Sequence, residues 1–197
     1  MPTDESVWPT LPEVIDAPRL TLRPWRLDDV DDVFTYAQDG EWSRFLRLLP
    51  SPYTRSDAEV FLARQLDLDR TTHPSWAITL EETAIGGLNL RLFPRHRLGE
   101  LGYSVARAHW GQGFCTEAAG AVVDVGFRTI PELNRIRAFA DVDNTASQRV
   151  MQKLGMTKEG VLRHNRVEGG VFLDEAWWGI LRPEWQDAAS APPSPTT

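Results

Sequence analysis

The stretch Trp110-Gly111-Gln112-Gly113-Phe114-Cys115-Thr116 holds the residues whose types and spacing most suggest chemistry. It joins a segment with the aromatic and β-branched content of a strand, Glu100–Ala106, to a helical repeat of Ala118, Ala119, Val122, Val123 and Phe127 that starts near Thr116. Gly111 and Gly113 permit φ > 0 or a close backbone approach, so the N–H groups of the loop and of the first helical turn can converge on one point. Such a nest at the positive end of a helix holds phosphate. It does not match a nucleoside triphosphate loop, because Phe114-Cys115 follows Gly113 where Lys and Ser/Thr belong. It fits a dinucleotide fingerprint poorly: Thr116 replaces the third glycine, and Asn134, Arg135 and Arg137 stand where the acidic residue should close the next strand.

The elements that must position this loop are legible in the rest of the chain. Arg19–Trp25 alternates as a half-buried strand, and Asp28 offers a cap for a helix through Val30, Val33, Phe34 and Ala37. A loop rich in apolar residues, Glu41–Tyr53, precedes a second helix started by the capping box Ser56-x-x-Glu59. Strands follow at Trp76–Leu80, Ile85–Phe93 and Glu100–Ala106, and another at Arg135–Val142 after the helix. Asn144 caps a helix whose apolar face is Ala146, Val150, Met151 and Leu154 and which Gly155 ends. Val161–Val167 and Val171–Leu181 form a hairpin around Glu168-Gly169-Gly170. The order β-α-α-β-β-β-α-β-α-β-β gives an α/β (α+β) fold with a mixed, mostly antiparallel sheet of about seven strands and about four helices. Residues 1–18, with four prolines, read as an extended arm, 19–186 as one domain, and 187–197 as a disordered tail.

Composition narrows the partners. The chain has 197 residues, 42% of them apolar, enough for one sizeable core. A formal net charge of −7 argues against a nucleic-acid surface and leaves room for a basic acceptor. Cys115 is the sole cysteine, no secretion signal opens the chain, and no apolar run reaches membrane-spanning length, so a cytoplasmic protein with no membrane partner is expected. His109 and His164 lack the spacing of a metal site, and no metal is expected.

The loop and the segment Asn144-Thr145-Ala146-Ser147, with its Lys153-Leu154-Gly155-Met156 end, together resemble the two signatures of the GNAT superfamily of N-acetyltransferases, and most closely the branch of ribosomal-protein N-terminal acetyltransferases. The resemblance covers roughly Arg19–Trp185. It departs at Ala108, where the superfamily has Gln or Arg, and at Trp178, where its last strand has Tyr. It implies a sheet splayed between the fourth and fifth strands, with acetyl-CoA in the opening. Cofactor contacts then fall to Tyr103, Val105, Trp110, Gly111, Gln112, Gly113, Phe114, Thr116, Asn144 and Lys153, and backbone groups of Tyr103–Ala106 pair with the pantetheine arm as an added strand would.

The same resemblance implies direct attack by a primary amine on the thioester, which needs a route for the amine's proton and a donor to the departing thiolate. Glu100 is the first candidate base, directly or through water, with Asp141 as the alternative; Ser147 is the candidate donor. Cys115 at the helix start reads as a packing residue. Trp42, Phe45 and Leu46 are expected to wall the acceptor site or pack the core, and Asp174 to bind the amine or brace the hairpin. The acceptor is a small-molecule amine or a protein N-terminus, and a homodimer is open. Two alternatives stand beside acetyl transfer: a larger donor such as succinyl-CoA, for which Arg44, Arg47 and Arg91 supply cations, and a non-catalytic acyl-CoA-binding module.

Overall fold

Eight strands form one sheet in the order β1-β2-β3-β4-β5-β6-β8-β7, here described from a computed structural model for residues 8–46, 49–168 and 170–190. The strands are β1 (Ile15–Asp16), β2 (Thr21–Arg23), β3 (Ser75–Leu80), β4 (Thr83–Phe93), β5 (Leu98–Val105), β6 (Arg135–Asp141), β7 (Thr157–Glu168) and β8 (Val171–Leu181). Neighbours are antiparallel except β5 and β6, which run parallel. The described helices are α1 (Val30–Ala37), α2 (Gly40–Ser43), α3 (Arg55–Leu66), α4 (Phe114–Thr129), α5 (Thr145–Lys153) and α6 (Arg182–Ser190).

The expected mixed sheet is present, with one strand more than the seven anticipated. The extra strand comes from the segment read as an arm. Trp8, Leu11 and Ile15 are only 4%, 2% and 5% exposed, and β1 turns back on β2 through Ala17 N–H to Leu20 O at 2.8 Å. Prolines interrupt the periodicity of this segment without keeping its apolar side chains from the core. At the other end, α6 carries the last residues of the expected domain on into the expected tail as far as Ser190: Trp185 stacks on Phe127, and Arg182 donates to Phe127 O, Ile130 O and Leu133 O around the end of α4. Residues 1–7 and 191–197 lie outside the described residues.

Each face of the sheet carries its own core. Phe114, Ala118, Val122 and Phe127 of α4, with Met151 of α5, cover Trp76, Leu88, Leu90 and Ile136 on one face. On the other, Val33 of α1 and Ala58 and Leu62 of α3 pack on Trp25, Ala77 and Ala84. The capping box of α3 is Thr54-x-x-Asp57 and not Ser56-x-x-Glu59: Asp57 N–H donates to Thr54 Oγ1 at 3.3 Å and Thr54 N–H to the Asp57 carboxylate at 2.8 Å. The entry to α1 likewise starts earlier than Asp28. A single 3-10 turn over Leu27–Asp29 precedes it, and buried Asp29 accepts from Arg26 N–H at 2.8 Å.

Asp29 also receives both terminal nitrogens of buried Arg23, at 2.9 and 2.6 Å, which ties the end of β2 to the start of α1. Removing one member of such a pair strands a buried charge. Asp29→Ala is therefore expected to cost about 3–5 kcal/mol in denaturant unfolding; a loss below about 1 kcal/mol, the range of an exposed pair, contradicts this account.

Candidate active site

The glycine loop leaves β5 through a 3-10 turn, Arg107–His109, and enters α4 at Gly113. Gly111 and Gly113 both have positive φ, 75° and 82°, so the spacing noted in the sequence does serve a backbone need. The first helical bond is Glu117 N–H to Gly113 O at 3.0 Å; the N–H groups of Phe114, Cys115 and Thr116 precede it and project from the positive end of α4. The side chains of Gln112 and Trp110 build the loop: Gln112 Nε2 donates to Ala108 O at 3.2 Å and the Trp110 indole N–H to Val105 O at 2.7 Å. Phe114 is buried, and Thr116 is half-buried in the first turn.

One residue of this loop's support lies beyond any local signal. Arg19, at the tip of the β1–β2 turn, donates through its backbone N–H and Nε to the two Glu117 carboxylate oxygens at 2.7 Å each and through both terminal nitrogens to Gln112 O at 3.1 Å. Its guanidinium also lies 4.4 Å from the centre of the Phe114 ring. Glu117 sits in the first turn of α4, where its charge would oppose an incoming phosphate, and Arg19 neutralises it.

Next to the loop the sheet opens. β5 and β6 share three residue pairs, Leu98–Arg135, Gly99–Ile136 and Glu100–Arg137, and then separate. Ala106 N–H donates to Ile85 O at 2.7 Å and the β4–β5 register is unbroken, so alternation turns the backbone groups of Leu101, Tyr103 and Val105 toward the opening. The Trp110 indole occupies the carbonyl of Val105. The side chain of Tyr103 crosses to α5, with its hydroxyl 3.1 Å from both the backbone oxygen and Oγ of Ser147. Burial pushes the Tyr103 phenol well above its ordinary pKa, so it keeps its proton. Asn144 accepts from Ser147 N–H at 3.0 Å, the helix cap expected of it.

Ser104, one residue on, points to the opposite face and lines a cavity of about 310 Å³ beneath α2. Trp42, Phe45 and Leu46 line the same cavity, along with Trp25, Tyr36 and Tyr53. Ser104, Arg166 and Glu168 contribute polar groups to its lining. The Glu168 carboxylate is 6% exposed and lies 3.4 Å from Arg166, which also reaches buried Glu175 at 3.4 Å. In the sequence Glu168 shows only as part of a turn, because its glycine neighbours mask it as a site residue.

Several candidates lie elsewhere. Glu100 is held by Arg137 at 2.7 and 2.9 Å at the closed end of the splay, about 13 Å along β5 from Ser104. Asp141 accepts Asp143 N–H at 2.9 Å in a turn, and Asp174 accepts His164 N–H at 2.8 Å, bracing the hairpin away from the aromatic cavity. Lys153 ends α5, about 13 Å from Asn144. Burial pushes the Cys115 thiol up to about 12, which fits packing and not thiolate chemistry. Arg91 stacks on Phe93 and Arg44 on Phe45, and Arg47 lies outside the described residues. No cluster of three or more His, Cys, Asp or Glu able to hold a metal occurs among the described residues, nor any helix long and apolar enough to cross a membrane.

Comparison with known proteins assigns the family and the fold. The model of the acetyltransferase (GNAT) domain matches residues 19–157, and the chain belongs to that family. An uncharacterized N-acetyltransferase, p20 of Bacillus licheniformis, is 29% identical over 177 residues, covering 88% of this chain and 98% of that protein. A putative acetyltransferase from T. thermophilus superimposes with a TM-score of 0.79 at 28% identity, over 89% of this chain and 93% of the other. RimL, the ribosomal L7/L12 alpha-N-protein acetyltransferase solved with coenzyme A, shares the fold at a TM-score of 0.74 and 18% identity, over 86% and 98% of the two chains. The protein is thus an acyl-CoA-dependent acetyltransferase of the GNAT family.

If the loop amides receive the cofactor's pyrophosphate, Gly113→Asp places a carboxylate against it and Arg19→Met uncovers Glu117. Each is expected to weaken CoA binding by about tenfold or more in calorimetric titration. Unchanged affinity in both folded variants contradicts this use of the loop.

Proposed function

We propose that the protein acetylates the α-amine of a peptide or a similarly weakly basic amine by direct attack in a ternary complex. Acetyl-CoA lies along the open edge of β5, its pyrophosphate on the N–H groups between Gly111 and Thr116 and its pantetheine amides on the backbone of Tyr103. The observation that carries this reading is that Tyr103 and Ser104, adjacent on β5, face opposite sides of the opening, one toward the Ser147 hydroxyl and the other toward the aromatic cavity. A thioester between them has a proton donor on one side and an acceptor on the other.

The amine nitrogen attacks the thioester carbonyl carbon, the C–S bond breaks, and the thiolate takes its proton through the Tyr103–Ser147 pair, whose own proton is restored from solvent. The proton lost by the amine passes to Glu168, directly or through water; Glu100, ion-paired at the closed end, is poorly placed for it. Both hydroxyls act chiefly in the transition state. Ser147→Ala and Tyr103→Phe are therefore each expected to lower kcat by roughly a hundredfold, with acetyl-CoA affinity changed by less than about threefold. A raised KM for acetyl-CoA with kcat intact would make them binding residues instead.

The shared fold with RimL, whose acceptor is an α-amine, supports an α-amine; the net charge of −7 attracts basic acceptors of either kind. An α-amine titrates about 2.5 units below a lysine side chain, so roughly 300 times more of it is neutral at a given pH, and a carboxylate suffices as base. In peptides that differ only in which amine is free, the α-amine is expected to react faster. Comparable rates on the lysine ε-amine would overturn the preference.

A further inference from the structure

We infer that the aromatic cavity is a specificity slot, and that the acceptor carries a bulky apolar group, an aromatic ring or branched aliphatic chain, one or two carbons from the amine that is acetylated. This rests on the reading that the amine reaches the thioester from the Ser104 side. The cavity, about 310 Å³, is roughly twice the ~150 Å³ hydrophobic void that accepts benzene, so it takes a ring together with the atoms joining it to an amine. Six aromatic side chains wall it: Trp25, Tyr36, Trp42, Phe45, Tyr53 and Phe61.

These walls are held in place independently of any ligand. The Trp25 indole N–H donates to Ser75 Oγ at 3.2 Å, Ser75 Oγ donates to Gln65 Oε1 at 2.7 Å, and Trp25 meets Phe61 edge-on at 5.2 Å. Tyr36 meets Trp42 edge-on at 4.9 Å, which joins α1 to α2 across the rim. A slot braced in this way does not collapse around a small acceptor. An N-terminal Gly or Ser leaves it unfilled, and a polyhydroxylated or polyamine body sets polar groups against carbon with few partners.

The polar groups of the lining, Ser104 with Arg166 and Glu168, then receive the amine itself. Rings at the wall also favour a cationic nitrogen on approach. Recognition thus divides the acceptor in two: an apolar body under α2 and an amine at β5.

The test uses four peptide amides identical except for a first residue of Phe, Leu, Ser or Gly, each with its α-amine free. At saturating acetyl-CoA, kcat/KM from thiol release is expected to be about tenfold or more higher for the Phe and Leu peptides than for the Ser and Gly peptides. Phe45→Ala, and independently Trp42→Leu, should shrink that ratio toward one. Binding of the same peptides in the presence of CoA, followed through tryptophan fluorescence, should rank them alike. Equal kcat/KM for all four, or a preference for Ser or Gly, overturns the slot while leaving acetyl transfer standing. Selective binding of the Phe and Leu peptides without turnover of any supports the slot and overturns the transfer reading.

Discussion

Three residue pairs join β5 to β6, and beyond Glu100–Arg137 the two strands part. Everything assigned to the site depends on that short seam. Had the pairing continued, the backbone of Tyr103 would be spent on β6. Because it stops, a strand edge is exposed in the middle of an eight-stranded sheet, where edges are otherwise confined to β1 and β7. An extended, amide-bearing ligand can complete it as a missing strand would.

The surrounding structure keeps the opening from closing. Tyr103 spans to the start of α5 through Ser147, and Asn144 fixes that helix start by capping it. Past the opening, Gly111 and Gly113, both at positive φ, turn the chain into the start of α4. Arg19 then holds the loop from outside and cancels Glu117. An unpaired strand edge and a glycine loop opening a helix thus follow one another along the chain, with the hydroxyl pair on one face of β5 and the aromatic cavity on the other.

What can be read in the sequence is mostly what is local. The loop glycines, the Asn144 cap and the Gly155 stop each answer to backbone needs within a few residues, and each appears where expected. The α3 cap is displaced by two residues from its expected place because Thr54-x-x-Asp57 and Ser56-x-x-Glu59 overlap and nothing local separates them. What the sequence hides is long-range. Arg19 and Glu117 are 98 residues apart and Tyr103 and Ser147 are 44 apart, so no spacing rule links them. Glu168 resembles an ordinary turn carboxylate, while Glu100 stands on the expected strand; only the register with Arg137 shows that Glu100 belongs to the closed end. Trp8, Leu11 and Ile15 are hidden among prolines.

A crystal structure of the complex with CoA tests the use of the opening most directly. The account expects pyrophosphate oxygens about 3 Å from N–H groups between Gly111 and Thr116, a pantetheine amide hydrogen-bonded to the backbone of Tyr103, and the sulfur between Ser147 and Ser104. CoA bound outside the β5–β6 opening, or inside it with the Tyr103 backbone unused, would contradict it.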